Sequence, residues 1–282
     1  MKKKFKLLLI SIFLLVGGNG IVMQSATSQI ALAKTKTIVK YDHRSDQKAK
    51  EIEKDNRKTE SDIQDLDQKI TKVRQQLKKY AGAHTVESVS ANKLAQLNYS
   101  GRDVITVNNN EPQFSSTDLS TKNGAWQEYG NLDTLNRVTP ANALLNKSLM
   151  PHTKRQPLNV TPTGWHNKRI AGGWLYNRCH LIGYQLTGQN NNWKNLMTGT
   201  RQLNDPDMVR YEDQVADYLK ENPGNYVRYR VTPIFRGNEL LARGVEMEGQ
   251  SVNSDAVYFN VYIFNVENGV TLNYDNGTSK VA

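Results

Sequence analysis

One cysteine, Cys179, is all the thiol this 282-residue chain has, so no intramolecular disulfide can form. Stability must come from packing, which a chain of this length can supply without covalent staples. The lone thiol is left either to cross-link two copies or to lie buried and inert. Proline is absent from residues 34–85, and glycine appears there only as Gly82. That excludes a turn-rich segment and leaves room for one long helix. Long apolar runs are missing as well: after the first 33 residues no stretch approaches the ~20 apolar residues that cross a bilayer. No membrane attachment is therefore expected of the processed chain.

What is present begins at the N-terminus. Lys2, Lys3, Lys4 and Lys6 precede an apolar run from Leu7 to Val16, and Ala31-Leu32-Ala33 follows after small and polar residues. A basic start, an apolar run too short to span a membrane and an A-x-A site predict a signal peptide over residues 1–33 and an extracellular product. The leader takes four of the 37 basic side chains with it, leaving 33 against 27 acids, a net charge of +6 rather than +10.

Residues 34–85 form a charged segment with 14 basic and 9 acidic side chains. Ile63, Leu66, Ile70, Val73 and Leu77 follow one another at intervals of three and four, an a/d stripe that predicts an amphipathic helix over about residues 45–80. Such a helix either packs on the next domain or acts as a separate module for surface attachment or dimerisation. Its positive excess also suits adhesion to nucleic acid or to anionic envelope polymers. Residues 81–84 read as a linker, and residues 86–282 as the main domain.

That domain is polarised. Residues 147–210 hold nine Lys or Arg against Asp205 and Asp207, whereas residues 211–282 hold ten acids against six bases. Residues 134–149 carry apolar and small positions at helical spacing. Residues 227–231 alternate as a strand, and residues 256–264 are rich enough in Val, Tyr, Phe and Ile to predict a central one. Residues 207–221 predict a helix with Asp205 as N-cap and Pro206 in its first position, ended by Asn222-Pro223-Gly224. Asn190-Asn191-Asn192 marks a polar loop.

Phosphodiester hydrolysis needs a proton acceptor near neutral pH, a cation to offset developing charge and positive side chains to hold phosphate. His180, in Asn177-Arg178-Cys179-His180, has the right acidity for the first task. Alone, a histidine after Gly173-Trp174-Leu175-Tyr176 reads as a packed residue. Downstream, residues 195–204 read as a polar helical turn ending in Asn204, and Glu212 follows eight residues later. An amide oxygen suits a hard cation that keeps its water, and a carboxylate orients that water. Arg201 and Arg210 are further candidates for gripping phosphate. Trp165 and Trp174 read as core residues, Trp193 as a base-stacking candidate, and His166 as a loop residue with a lesser claim on substrate.

The segment from Asn177 to Tyr184, followed by residues 195–204, resembles the DNA/RNA non-specific endonuclease family of the ββα-metal superfold, from about Ala125 to the C-terminus. The resemblance implies an α+β fold with a central antiparallel sheet flanked by helices, here preceded by the charged helix. It implies His180 as general base at the end of a hairpin strand, Asn204 as the asparagine that binds Mg2+ (Mn2+ as substitute), Arg178 as the motif arginine, and Glu212 as the glutamate near the metal's water shell. The substrate would be DNA, with RNA left open, cut to 5′-phosphate products with little sequence preference.

Two positions depart from the family's Asp-Arg-Gly-His. Asn177 replaces the aspartate and removes a negative charge near the cation; Cys179 replaces the glycine, which implies an ordinary negative φ there. The alternative to an enzyme is a secreted host-interaction protein on the same fold, weakened or disabled by Asn177.

Overall fold

The structure, a computed structural model, describes residues 44–81 and 89–281. The leader and almost all of the 81–84 linker lie outside the described residues. Two compact units meet at Asp55 and Asn56.

Helix α1, Arg44–Ala81, has the extent expected of the charged segment. The absence of proline and glycine between these bounds permits its length, and pairs such as Asp65–Lys69 at 2.6 Å support its exposed surface. Every residue of α1 whose burial is described is exposed.

In the second unit, a short helix α2, Ala91–Gln96, starts on a Ser90 cap, and six antiparallel strands form the main sheet. These are β1 (Val104–Thr106), β2 (Trp126–Tyr129), β3 (Ala141–Asn146), β8 (Tyr226–Ile234), β9 (Gly244–Ser251) and β10 (Tyr258–Phe264), in the order β1-β10-β9-β8-β3-β2. The strands expected at 227–231 and 256–264 are β8 and β10, both interior. Period-2 alternation sorts their faces. Val231, Met247 and Val261 stand in register on one face, in a core completed by Val215, Ala216 and Leu219 of α4, Val209–Glu221. The other face carries Arg230, Glu248 and Asn260 in register; Arg230 Nε donates to Glu248 at 2.6 Å, and Phe114 lies 4.6 Å from the Arg228 guanidinium.

Three local readings are corrected. Residues 134–149 are not a helix: they contain β3, whose Ala141, Ala143 and Leu145 face the core between β2 and β8. Ala and Leu favour helix locally, and pairing on both edges overrides that preference. Residues 195–204 are not a helical turn either. Leu196–Thr200 is strand β7, paired with β6, Tyr176–His180, in a separate hairpin. Finally, α4 starts at Val209 rather than 207, and Asp205 does not cap it. Asp205 is extended at φ −148°, ψ 114°, as a residue before proline prefers, which breaks the wide turn Leu203–Met208 ahead of the helix.

The β6–β7 hairpin is tied to the end of the main sheet by Asn265, which is fully buried. Its Oδ1 accepts from Thr200 N at 2.8 Å and its amide donates to Thr198 O at 3.2 Å. Small ribbons β4 (Arg169–Ile170) with β5 (Gly173–Trp174), and β11 (Val270–Leu272) with β12 (Ser279–Val281), flank the domain's own sheet; a single helical turn α3, Tyr184–Thr187, follows the hairpin's first strand.

Candidate active site

Strand β6 ends on His180, which is 6 % exposed. Its Nε2 lies 2.9 Å from the Asn190 carbonyl, an acceptor only, so Nε2 carries the proton and the lone pair of the neutral ring sits on Nδ1. Burial lowers the imidazole's pKa below its ordinary value; the charge of Arg155 acts in the same direction and the Asn190 carbonyl against it. The ring is therefore neutral at physiological pH and able to accept a proton.

The chain beyond His180 is clipped to the start of β7 by Asn195, fully buried: Leu181 N reaches its carbonyl at 2.9 Å, Ile182 N its Oδ1 at 2.9 Å, and its amide returns to Ile182 O at 3.0 Å. An alanine here would keep the backbone bond to Leu181 and orphan two buried groups, Ile182 N and Ile182 O.

An open cleft of ≈ 880 Å³ is lined by Asn177, Arg178 and Asn204, together with Arg155, Trp165 and Trp174. The structure thus brings three of the sequence-selected residues, Asn177, Arg178 and Asn204, into one cleft, and His180 is not among the residues that line it. Arg178 is strongly engaged within the protein: its Nε donates to the Val160 carbonyl and its guanidinium lies 4.5 Å over the Trp165 ring. That fixes the loop before the hairpin as much as it charges the cleft.

Glu212 does not line the cleft. It is 7 % exposed on α4, against Gly183, where an added Cβ would meet its Oε2 at 2.3 Å. Burial raises its carboxyl to about 7, partly offset by hydrogen bonds from Gln185 and the Gly183 backbone and by the charge of Arg155. Arg201 and Arg210 also lie outside the cleft's lining. Arg201 donates to the Gly172 carbonyl and lines a smaller cavity with Asp103, Asp205, Asp207 and Glu267; Arg210 lies 4.8 Å over the Tyr211 ring. Cys179 is buried, 3.4 Å from Met208 Sδ, with its thiol pKa raised by burial, so it is inert rather than a cross-linking or metal-binding group. Its φ is not positive, as the replacement of glycine implied.

Arg155 is the residue that motif reading missed. It lines the cleft, and its positive charge is felt by both His180 and Glu212. The polar 190–192 loop puts it there: Asn191 Oδ1 accepts from Asn159 N at 2.9 Å, Asn191 Nδ2 donates to Pro157 O at 3.1 Å, and Asn190 Oδ1 accepts from Gln156 N at 3.3 Å. Asn190 therefore holds His180 with its carbonyl and the Arg155 loop with its side chain. Only the basic bias of residues 147–210 hinted at this.

The cleft's donors include the amide oxygens of Asn177 and Asn204 and the imidazole of His166, and among the described residues no three His, Cys, Asp or Glu side chains gather as a metal-ligand set. Amide oxygens suit a hard cation that retains most of its water.

A hairpin whose first strand ends on His180, a turn carrying Asn204 and a following helix have the element order of a ββα-metal nuclease fold. Residues 119–253 match the DNA/RNA non-specific endonuclease family, so the chain carries a domain of that family. The structure is similar to that of NucA from Streptococcus agalactiae with magnesium bound, at 26% identity and a TM-score of 0.59 over 67% of this chain and 92% of that one. It is also similar to the Sda1 nuclease with bound zinc, at 25% identity and a TM-score of 0.50 over 56% of this chain and 80% of that one. A deoxyribonuclease of Streptococcus dysgalactiae subsp. equisimilis is 34% identical over 108 residues, 36% of this chain; the match spans about a third (32%) of that relative's length.

Proposed function

We propose that the chain is a secreted, metal-dependent endonuclease that hydrolyses DNA with little sequence preference. The observation that carries this reading is the placement of Arg155, Asn177, Arg178 and Asn204 on one open cleft, with a neutral His180 fixed by Asn190. His180 Nδ1 takes the proton of the attacking water. Arg155 and Arg178 neutralise charge building on the phosphate oxygens, Arg155 with the freer guanidinium. Asn204, with waters, would hold the divalent cation, magnesium by the chemistry of the donor set; when bound, the cation would supply charge neutralisation at the phosphate and on the leaving oxygen. Glu212 acts from behind the loop, positioning Gly183 and Gln185 under the histidine strand. The cleft reads phosphates rather than base edges, which accounts for low sequence preference. Extracellular export is read from the leader over residues 1–33.

The reading is tested by digesting double-stranded DNA and RNA with the chain from residue 34, with magnesium and with a chelator. Fragments of DNA carrying 5′ phosphates, formed only with the metal, are expected. Intact DNA under every metal condition would instead favour a binding protein on a nuclease fold.

A further inference from the structure

Two residues of the apolar stripe of α1 lie open. Leu66 is 55 % and Val73 52 % exposed, and a helix laid on its own domain hides such a face. Charge along the same stretch is segregated: residues 60–67 hold four acids and no base, and residues 69–79 hold five bases and no acid. Two parallel copies would set acid beside acid and base beside base. Two antiparallel copies centred near residue 68 set the acidic block of each beside the basic block of the other. The same register brings stripe position 63 beside 73 of the partner and 66 beside 70. Apolar spacing and charge order thus specify one arrangement.

We propose that residues 56–81 of α1 pair with the same segment of a second copy as an antiparallel two-helix coiled coil. A two-fold pairing satisfies both halves of a self-complementary surface at once. Nucleic acid would match the basic block and be repelled by the acidic one. Buried Cys179 takes no part, so the pair is non-covalent.

Sedimentation of the chain from residue 34, across micromolar concentrations, tests this. A reversible monomer–dimer equilibrium is expected, and Leu66→Asp with Val73→Asp should weaken it at least about tenfold, by the cost of burying charge on an apolar seam. DNA cleavage per chain and helix content should be unchanged by that double substitution, which shows the protein still folds. A nitroxide on Lys58→Cys, with Cys179 out of reach, should lie about 30 Å from its partner label if the helices are antiparallel, being opposite position 78. A parallel pair would place the labels about one interhelix spacing apart, roughly 10 Å. A wild-type chain that stays monomeric throughout, or a double variant that dimerises as strongly, overturns the pairing. A short label distance overturns the antiparallel order.

Discussion

Asn177 faces the cleft beside Arg178, near two guanidinium groups and the Asn204 amide. The family's aspartate would add a negative charge to that wall. Asn177→Asp is therefore expected to lower the magnesium needed for half-maximal cleavage by about tenfold and to raise the rate, since groups around a metal's ligands tune affinity by that order; a magnesium titration unchanged by the substitution would remove position 177 from the site. The two arginines separate in the same way. Arg155 is exposed, so Arg155→Ala should cost about 10²-fold in kcat with a nearly unchanged melting temperature. Arg178 is bound to Val160 and stacked on Trp165, so Arg178→Ala should also cost about 1–2 kcal/mol of stability, measured by denaturant unfolding. Equal losses of stability in the two variants would refute this division.

At the scale of elements, the site is a hairpin, a wide turn and a helix locked by a few close contacts. Gly183 is the tightest: its φ of −55° suits any residue, yet a Cβ there would sit 2.3 Å from Glu212 Oε2. Gly183→Ala should therefore destabilise by about 2 kcal/mol and lower activity together, because either Glu212 or the chain leaving His180 must shift. Unfolding and cleavage assays on one preparation check it, and a stable, fully active variant would mean Glu212 is not confined as described. These elements also show what sequence can and cannot display. Helix α1 and strands β8 and β10 were legible because their periodicity is long and uninterrupted. Strand β3 was not, since Ala141, Ala143, Leu144 and Leu145 carry helical propensity that only pairing with distant β2 and β8 defeats. His180 and Asn204 could be singled out through a motif that spans one hairpin and its turn, and of the two only Asn204 lines the cleft. Arg155 was not, because its position depends on Asn190 and Asn191, more than thirty residues away, and no local spacing encodes that clasp.

For the molecule as a whole, acidity should govern stability through a group that does not line the cleft. Glu246, on the polar face of the main sheet, is 8 % exposed, and burial, reinforced by Glu248 and opposed by Arg230, raises its carboxyl to about 7. Its folded pKa lies above the unfolded value of 4.5, so the fold binds the proton more tightly; this stability is fully present below about 4.5 and is lost as pH rises through about 7. Glu246→Gln should reduce the pH dependence of the melting temperature between those limits, the remainder being carried by buried Glu212, whose carboxyl is also raised to about 7, and gain about 2 kcal/mol at pH 8. A pH profile parallel to wild type would show that another group carries the effect. A phosphodiesterase centre built on His180 is tested by plasmid cleavage in magnesium, wild type beside His180→Ala at matched melting temperature. Loss of about 10³-fold or more in rate is predicted for His180→Ala, the scale of removing a general base; cleavage by that variant at the parental rate would contradict the account.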